Sequence, residues 1–222
     1  MVKVQDIVQR CQAALRDVNE DSWPEDAIRI AIYEAEKVIV NYRPDANPVD
    51  VEFTCAVGIK QSISALTPAP HKLLNVKYNR VGSVDGRSVR RVGSGDLDAI
   101  SPNWRSNTAS TTIREYMVDD REPLIFYTNP PAANGAKLQL SYSAIPTAYP
   151  EPFVEATTYI TVSDLYEPMI YEWAMHRLFG HDVEGSVNIA RSNQHLNTFQ
   201  SMMGIKIQTD TRYSPRNPEP RK

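Results

Sequence analysis

The chain has 222 residues, 41% hydrophobic and 23% charged, a balance that supports a packed core and excludes wholesale disorder. A net charge of −3 gives no global case for nucleic-acid binding, so contact with a polyanion would need a local patch. No apolar run approaches the ~20 residues of a membrane span, and the N-terminal MVKVQDIVQR lacks the apolar centre of a signal peptide. Cys11 and Cys55 occupy apolar positions of periodic segments and read as buried free thiols of a soluble chain in a reduced compartment.

From Val4 to Val18 the apolar residues fall three and four apart, which predicts a helix with one buried stripe. Ser22 stands three residues before Glu25, with Pro24 between them, a capping-box start for a second helix reaching about Tyr42. That helix is apolar over more than one stripe, which predicts that it is sandwiched between partners. Pro44 disfavours helical geometry at Arg43 and ends it.

After Pro48 the period changes to two. Val49, Val51, Phe53, Cys55 and Val57 alternate with mostly polar residues and predict a strand with one buried face. A second strand is expected over Leu73 to Arg80, then turns at Gly82 and Gly86, then Ser88 to Val92. Asp96 to Ile100 reads as one helical turn stopped by Pro102, and residues 106–110 as a polar loop. Strands follow at Thr112 to Val118, Leu124 to Thr128 and Lys137 to Tyr142, separated by DDREP and Asn134-Gly135. Loops this short imply antiparallel hairpins in a small meander or sandwich.

Pro146 to Pro152 is a proline-rich crossing. A helix is expected from Asp164, acting as a cap before Glu167, to Gly180, and a last one from about Val187 to Met203, closed by Gly204. The following residues carry three prolines and few apolar side chains, and read as a flexible tail. The expected class is α+β. N- and C-terminal helices (1–47 and 160–205) form a bundle, a central antiparallel β-rich insertion spans 48–159, and the tail spans 206–222.

No catalytic motif stands out: the sequence has no phosphate-cradling glycine loop with its lysine, and no HExxH or GxSxG. Asp96, Asp98 and His71 are the nearest thing to a hydrolytic set, and residue type alone supports them. His176, His181 and His195 have poor spacing for a metal, so no metal and no cofactor is expected. Two basic stretches are candidate partner-binding sites. The first, around Arg87, Arg90 and Arg91, is either a hairpin facing DNA or an acidic surface, or an edge whose charges deter strand addition; the second reading is preferred. The second is the tail, with Arg212, Tyr213, Arg216, Arg221 and Lys222. Trp23, Trp104, Tyr149, Phe153, Tyr159 and Tyr213 are possible interface anchors, with Trp23 and Trp104 expected to be mostly buried.

In order along the chain, DSWPEDAIRIAIYEAEKVIVNYRPDA, GIKQSI, LLNVKYNR, GRSVRRV, LDAISPNW, DDREPLIFYTNPP and LQLSYSAIP resemble the head-to-tail connector (adaptor) family of tailed bacteriophages. So does the closing stretch SDLYEPMIYEWAMHRLFGHDVEGSVNIARSNQHLNTFQSMMG. The pattern is similar to the tail tubular protein A type of short-tailed phages. The resemblance departs at Gly58 to Ile63, at His176 and at Phe179.

The resemblance implies a non-enzymatic virion protein at the head–tail junction, assembled in the host cytoplasm. It implies a homo-oligomeric ring of twelve subunits between portal protein and the tail nozzle or next tail component, with tail fibres at the side. DNA would pass through the channel without sequence-specific binding and without a membrane. The alternative is a non-enzymatic binding module of a tail or baseplate that recognises carbohydrate or protein.

Overall fold

The first helix, α1 (Val4–Leu15), buries Val4, Ile7, Val8 and Cys11 along the expected stripe. It ends where Arg16 turns left-handed and donates its N–H to the Ala13 carbonyl. This computed structural model describes residues 1–17, 23–82, 84–181 and 186–213, the side chains of 94, 100, 186 and 209–213 excepted. The expected helix end at Val18 and cap at Ser22 lie outside the described residues.

Helix α2 (Glu25–Tyr42) begins as the Pro24 carbonyl accepts the N–H groups of Ala27 and Ile28. Its buried residues, Ile28, Ala31, Ile32, Ala35, Glu36, Ile39 and Val40, cover more than one stripe, while Ile30 stays exposed.

The chain divides into two compact units, Met1–Ile39 with Ala148–Lys222, and Val40–Thr147. In the first, a 3-10 turn (Asp164–Tyr166) leads into α4 (Glu167–His181), and α5 (Ser186–Tyr213) packs along α4; α3 (Ser94–Ile100) belongs to the second. Asp164 is not the expected cap. Its carboxylate accepts the Val2 N–H at 2.9 Å and pairs with the N-terminal amine at 3.0 Å.

Gly180 is the last residue but one of α4, so the helix ends beside the expected stop, and a Cβ there would sit 3.4 Å from Ser192 Oγ. Gly204 lies inside α5, which continues through Tyr213, so the expected tail begins later than residue 206. A helical glycine costs only about 1 kcal/mol, which flanking residues such as Lys206, over the Tyr166 ring at 5.1 Å, readily offset.

Among the described residues the second unit holds eight strands in two four-stranded sheets. The first sheet has the order β1 (Pro48–Thr54), β8 (Lys137–Ala144), β3 (Pro70–Val81), β4 (Val84–Ser88). The second has β2 (Gly58–Ser62), β7 (Ile125–Ala132), β6 (Glu115–Val118), β5 (Arg90–Arg91). Sequence neighbours pair at β3–β4, β5–β6 and β6–β7, whereas β1–β8, β3–β8 and β2–β7 join distant strands. Of the expected meander or sandwich, the chain therefore does not form a simple meander, and β5 pairs with β6 in parallel. Leu138, Leu140 and Tyr142 of one sheet and Tyr116 and Phe126 of the other, with Ile63 just after β2, belong to one buried cluster, so the two faces make a sandwich. Cys55 is buried in it, and Cys11 in the helical unit; burial pushes both thiols up to about 12, as expected of inert free cysteines.

Strand β2 falls within Gly58 to Ile63, where the sequence pattern predicts no element. Gly82 makes a turn with φ +61°, whereas Gly86 sits inside β4, where a Cβ would lie 3.0 Å from the Asn79 carbonyl oxygen. Helix α3 (Ser94–Ile100) is a helix in mid-chain, so the helices are not all terminal.

Candidate interaction surfaces

Most of the basic stretch from His71 to Arg91 faces acids of its own sheets. Lys77 Nζ lies 2.7 Å from Asp50, and Arg80 binds both Glu52 (3.3 Å) and Asp85. Lys137 also reaches Glu52 at 2.7 Å, and Lys72 lies 3.7 Å from Asp120. Arg90 pairs with Glu115. The hydrogen bonds from Lys77 and Lys137 hold the Asp50 and Glu52 carboxyls below their ordinary range. Arg87 and Arg91 are exposed and make no ion pair among the described residues. Of the tail candidates, Arg212 and Tyr213 lie in the last turn of α5, where side chains are not described, and Arg216, Arg221 and Lys222 lie outside the described residues.

Of the hydrolytic candidates Asp96, Asp98 and His71, Asp98 is engaged elsewhere. Asp98 of α3 accepts the Trp104 indole N–H at 2.8 Å and an Arg105 guanidinium N–H at 2.7 Å, and these bonds hold its carboxyl low. Trp104 is 1% exposed, as expected for this ring. It floors a groove of about 570 Å³ whose rim carries Asp119, Asp120, Arg121 and Tyr127.

His176 and His195 join helices α4 and α5. His176 Nδ1 lies 2.9 Å from Ser192 Oγ, and His195 Nδ1 lies 2.7 Å from Glu172 while its ring stacks on Phe179. Among the described residues no cluster of histidine, cysteine or carboxylate has the geometry of a metal site, and no helix is long and apolar enough to cross a membrane.

Glu36 is the polar centre that the sequence reading missed. It is fully buried on α2. One carboxylate oxygen accepts the Thr161 N–H (2.5 Å), the Thr161 hydroxyl (2.9 Å) and the Val162 N–H (3.4 Å). The other accepts the Tyr149 hydroxyl at 2.7 Å. Burial pushes the Glu36 pKa up, against the pull of these donors, and burial raises Tyr149 too, so its hydroxyl stays a donor. The segment holding Tyr149 and Thr161 is thereby tied to α2, and Val4 N–H to Thr158 O (3.1 Å) and Ile160 N–H to Val2 O (3.1 Å) tie it to the N-terminus. The missed signal was positional: Ile28, Ile32 and Glu36 are four apart, which puts a carboxylate on the buried stripe.

Asp98, Glu36, His176 and His195 thus each bond to neighbouring side chains or backbone groups of the fold. Residues 2–219 match the model of the SU10 adaptor protein family. The chain belongs to the SU10 adaptor protein family. The match spans nearly the whole chain, both units included, and agrees with the adaptor resemblance carried by the sequence motifs. A comparison with curated proteins gave no match.

Proposed function

We propose that this chain is a structural virion protein of a tailed phage, a head-to-tail adaptor that forms a ring between portal and tail and continues the DNA channel. The observation that carries the reading is the family match over residues 2–219. A folded chain whose buried carboxylate and histidines serve helix contacts, rather than a cleft, is consistent with it. The ring would hold twelve copies, as in connectors of the tail tubular protein A type. Its terminal helical segments would lie towards the channel and its β-rich segment outwards. Portal protein would bind on one side and the tail nozzle or next component on the other, with tail fibres at the flank. The basic residues of the C-terminal segment, and Arg87, Arg90 and Arg91, are the proposed partner contacts. Assembly would take place in the host cytoplasm.

A carbohydrate-recognising module is the weaker reading. The indole of Trp104 lies beneath its groove, buried and closed to stacking by a sugar ring.

The test is binding of the purified chain to portal protein, read by native mass and by electron microscopy. Several copies per portal, stacked as a ring on its tail-proximal face, are expected. A chain that binds no portal and is missing from intact particles overturns the reading.

A further inference from the structure

Asn134-Gly135 forms the turn between β7 and β8. Strand β7 belongs to the second sheet and β8 to the first, so this turn is a corner where the chain passes from one sheet to the other. The Ala136 N–H closes it by donating to Ala133 O at 3.1 Å, and Gly135 takes φ +82°, which suits glycine at the third position of such a turn. The corner is anchored on both sides. Ala133 N–H donates to Ser110 O at 2.9 Å, and Ala136 O accepts the Cys55 N–H at 2.9 Å. Ala136 is buried, whereas Asn134 and Gly135 are both exposed.

Two chemical features meet at this tip. The Asn134 side-chain amide makes no hydrogen bond among the described residues, so its carbonyl carbon, Cγ, is free to turn. The Gly135 N–H likewise meets no acceptor among them, and the space where a Gly135 Cβ would stand is open. An asparagine Cγ and the next backbone nitrogen close a five-membered ring when they come together, an intramolecular reaction that needs only solvent base. Ring closure requires the Ala136–Ala133 bond to open, a local opening confined to an exposed tip.

We propose that Asn134-Gly135 is a site of spontaneous deamidation in the folded chain, and that the product weakens the corner between the two sheets. The Gly135 nitrogen loses its proton to hydroxide and attacks Asn134 Cγ. An N–Cγ bond forms, the Cγ–Nδ2 bond breaks, and the amide leaves as ammonia after taking a proton from water. Water then opens the succinimide. Cleavage of the new N–Cγ bond leaves aspartate at 134. Cleavage of the original backbone C–N bond routes the chain through the β-carboxyl and lengthens it by one methylene. That longer chain no longer fits a turn whose span is set by the Ala133–Ala136 bond and by the anchors to Ser110 and Cys55.

The other asparagines lack this combination. Asn134 is the only one in the chain that precedes glycine. Asn47 and Asn129 precede proline, which has no N–H to lose, and Asn75 and Asn79 are held in β3 by side-chain hydrogen bonds. The chemistry does not depend on the adaptor role or on any partner.

The test incubates the full chain, folded, in neutral and in mildly alkaline buffer and maps its peptides by mass spectrometry, with fragmentation that separates aspartate from its β-linked isomer. The peptide holding residue 134 is expected to gain the amide-to-acid mass at least about tenfold faster than any other asparagine peptide, and faster in alkali. Asn134→Gln, which would have to close a six-membered ring, is expected to convert at least about tenfold more slowly. Freshly made Asn134→Asp has the new charge without the extra methylene. The converted chain is expected to melt at least about 2 °C below it.

A folded chain that stays unconverted overturns the proposal, and conversion of the same chain in urea would then show that the turn protects its asparagine. Conversion led by another asparagine also overturns it. Conversion at 134 with melting equal to that of Asn134→Asp overturns the weakening of the corner.

Discussion

Glu36 and Asn79 each hold backbone groups that no secondary structure satisfies. Replacing Glu36 with alanine leaves the Thr161 and Val162 N–H groups and the Tyr149 hydroxyl without their acceptor, and should cost about 2–4 kcal/mol. Glu36→Gln keeps an acceptor and separates charge from shape. Because burial raises the folded pKa of Glu36, its contribution is fully present below the unfolded value. It is lost as pH rises through the folded one. The stability of Glu36→Gln relative to the unmodified chain should therefore improve from about pH 4 to about pH 8, read as urea midpoints. A flat difference would mean that the carboxyl titrates alike in both states. Asn79 donates to Arg87 O and Ile113 O, both at 2.8 Å, and accepts the Ile113 N–H at 2.7 Å. Asn79→Ala should lower unfolding free energy by about 2–4 kcal/mol, measured by denaturant titration, because three peptide groups lose their partner at once.

At the scale of elements, Gly204→Ala should stabilise the chain by about 0.5–1 kcal/mol, seen as a higher melting temperature. The residue lies inside α5 and nothing stands within 4 Å of the position a Cβ would take. Gly86→Ala should do the opposite, since its Cβ would meet the Asn79 carbonyl oxygen at 3.0 Å. The two glycines also mark where sequence reasoning stops. Period and turn chemistry made α1, α2, β1, β3 and β8 legible, because each has a face whose burial repeats. Whether Gly204 ends a helix or lies in one depends on what flanks it and on tertiary contacts such as that of Lys206 with Tyr166, which no local pattern records. Strand β2 was hidden for a similar reason: within Gly58–Ser62 only Gln61 is buried, and its amide bonds locally to Ala56 and Gly58, so it presents no alternating apolar face. The sheet order was not legible either, since β1 and β8 are far apart in the chain and their pairing depends on complementary faces. The basic stretch was legible as charge, but not as neutralised charge, because Asp50, Glu52 and Glu115 come from other strands.

For the whole molecule, the two units set different requirements on a deletion at the C-terminus. The helical unit is closed by α4 against α5 through Phe199 and Met203, both buried, with Trp173 beside Phe199 at 5.1 Å. These contacts lie well before Tyr213. Removing 214–222 therefore leaves the buried contacts of α5 untouched, and the melting temperature should stay within about 2 °C of the full chain. The removed residues carry Arg216, Arg221 and Lys222 against a single acid, Glu219. Loss of that charge should weaken attachment to portal, most visibly at low salt, where attraction between exposed charges is least screened. Co-sedimentation of the truncated chain with portal across a salt series measures this. Equal attachment at every salt concentration would remove the C-terminal segment from the docking surface and leave the folded units to carry it, whereas lost attachment with unchanged melting would assign the segment to docking rather than to folding.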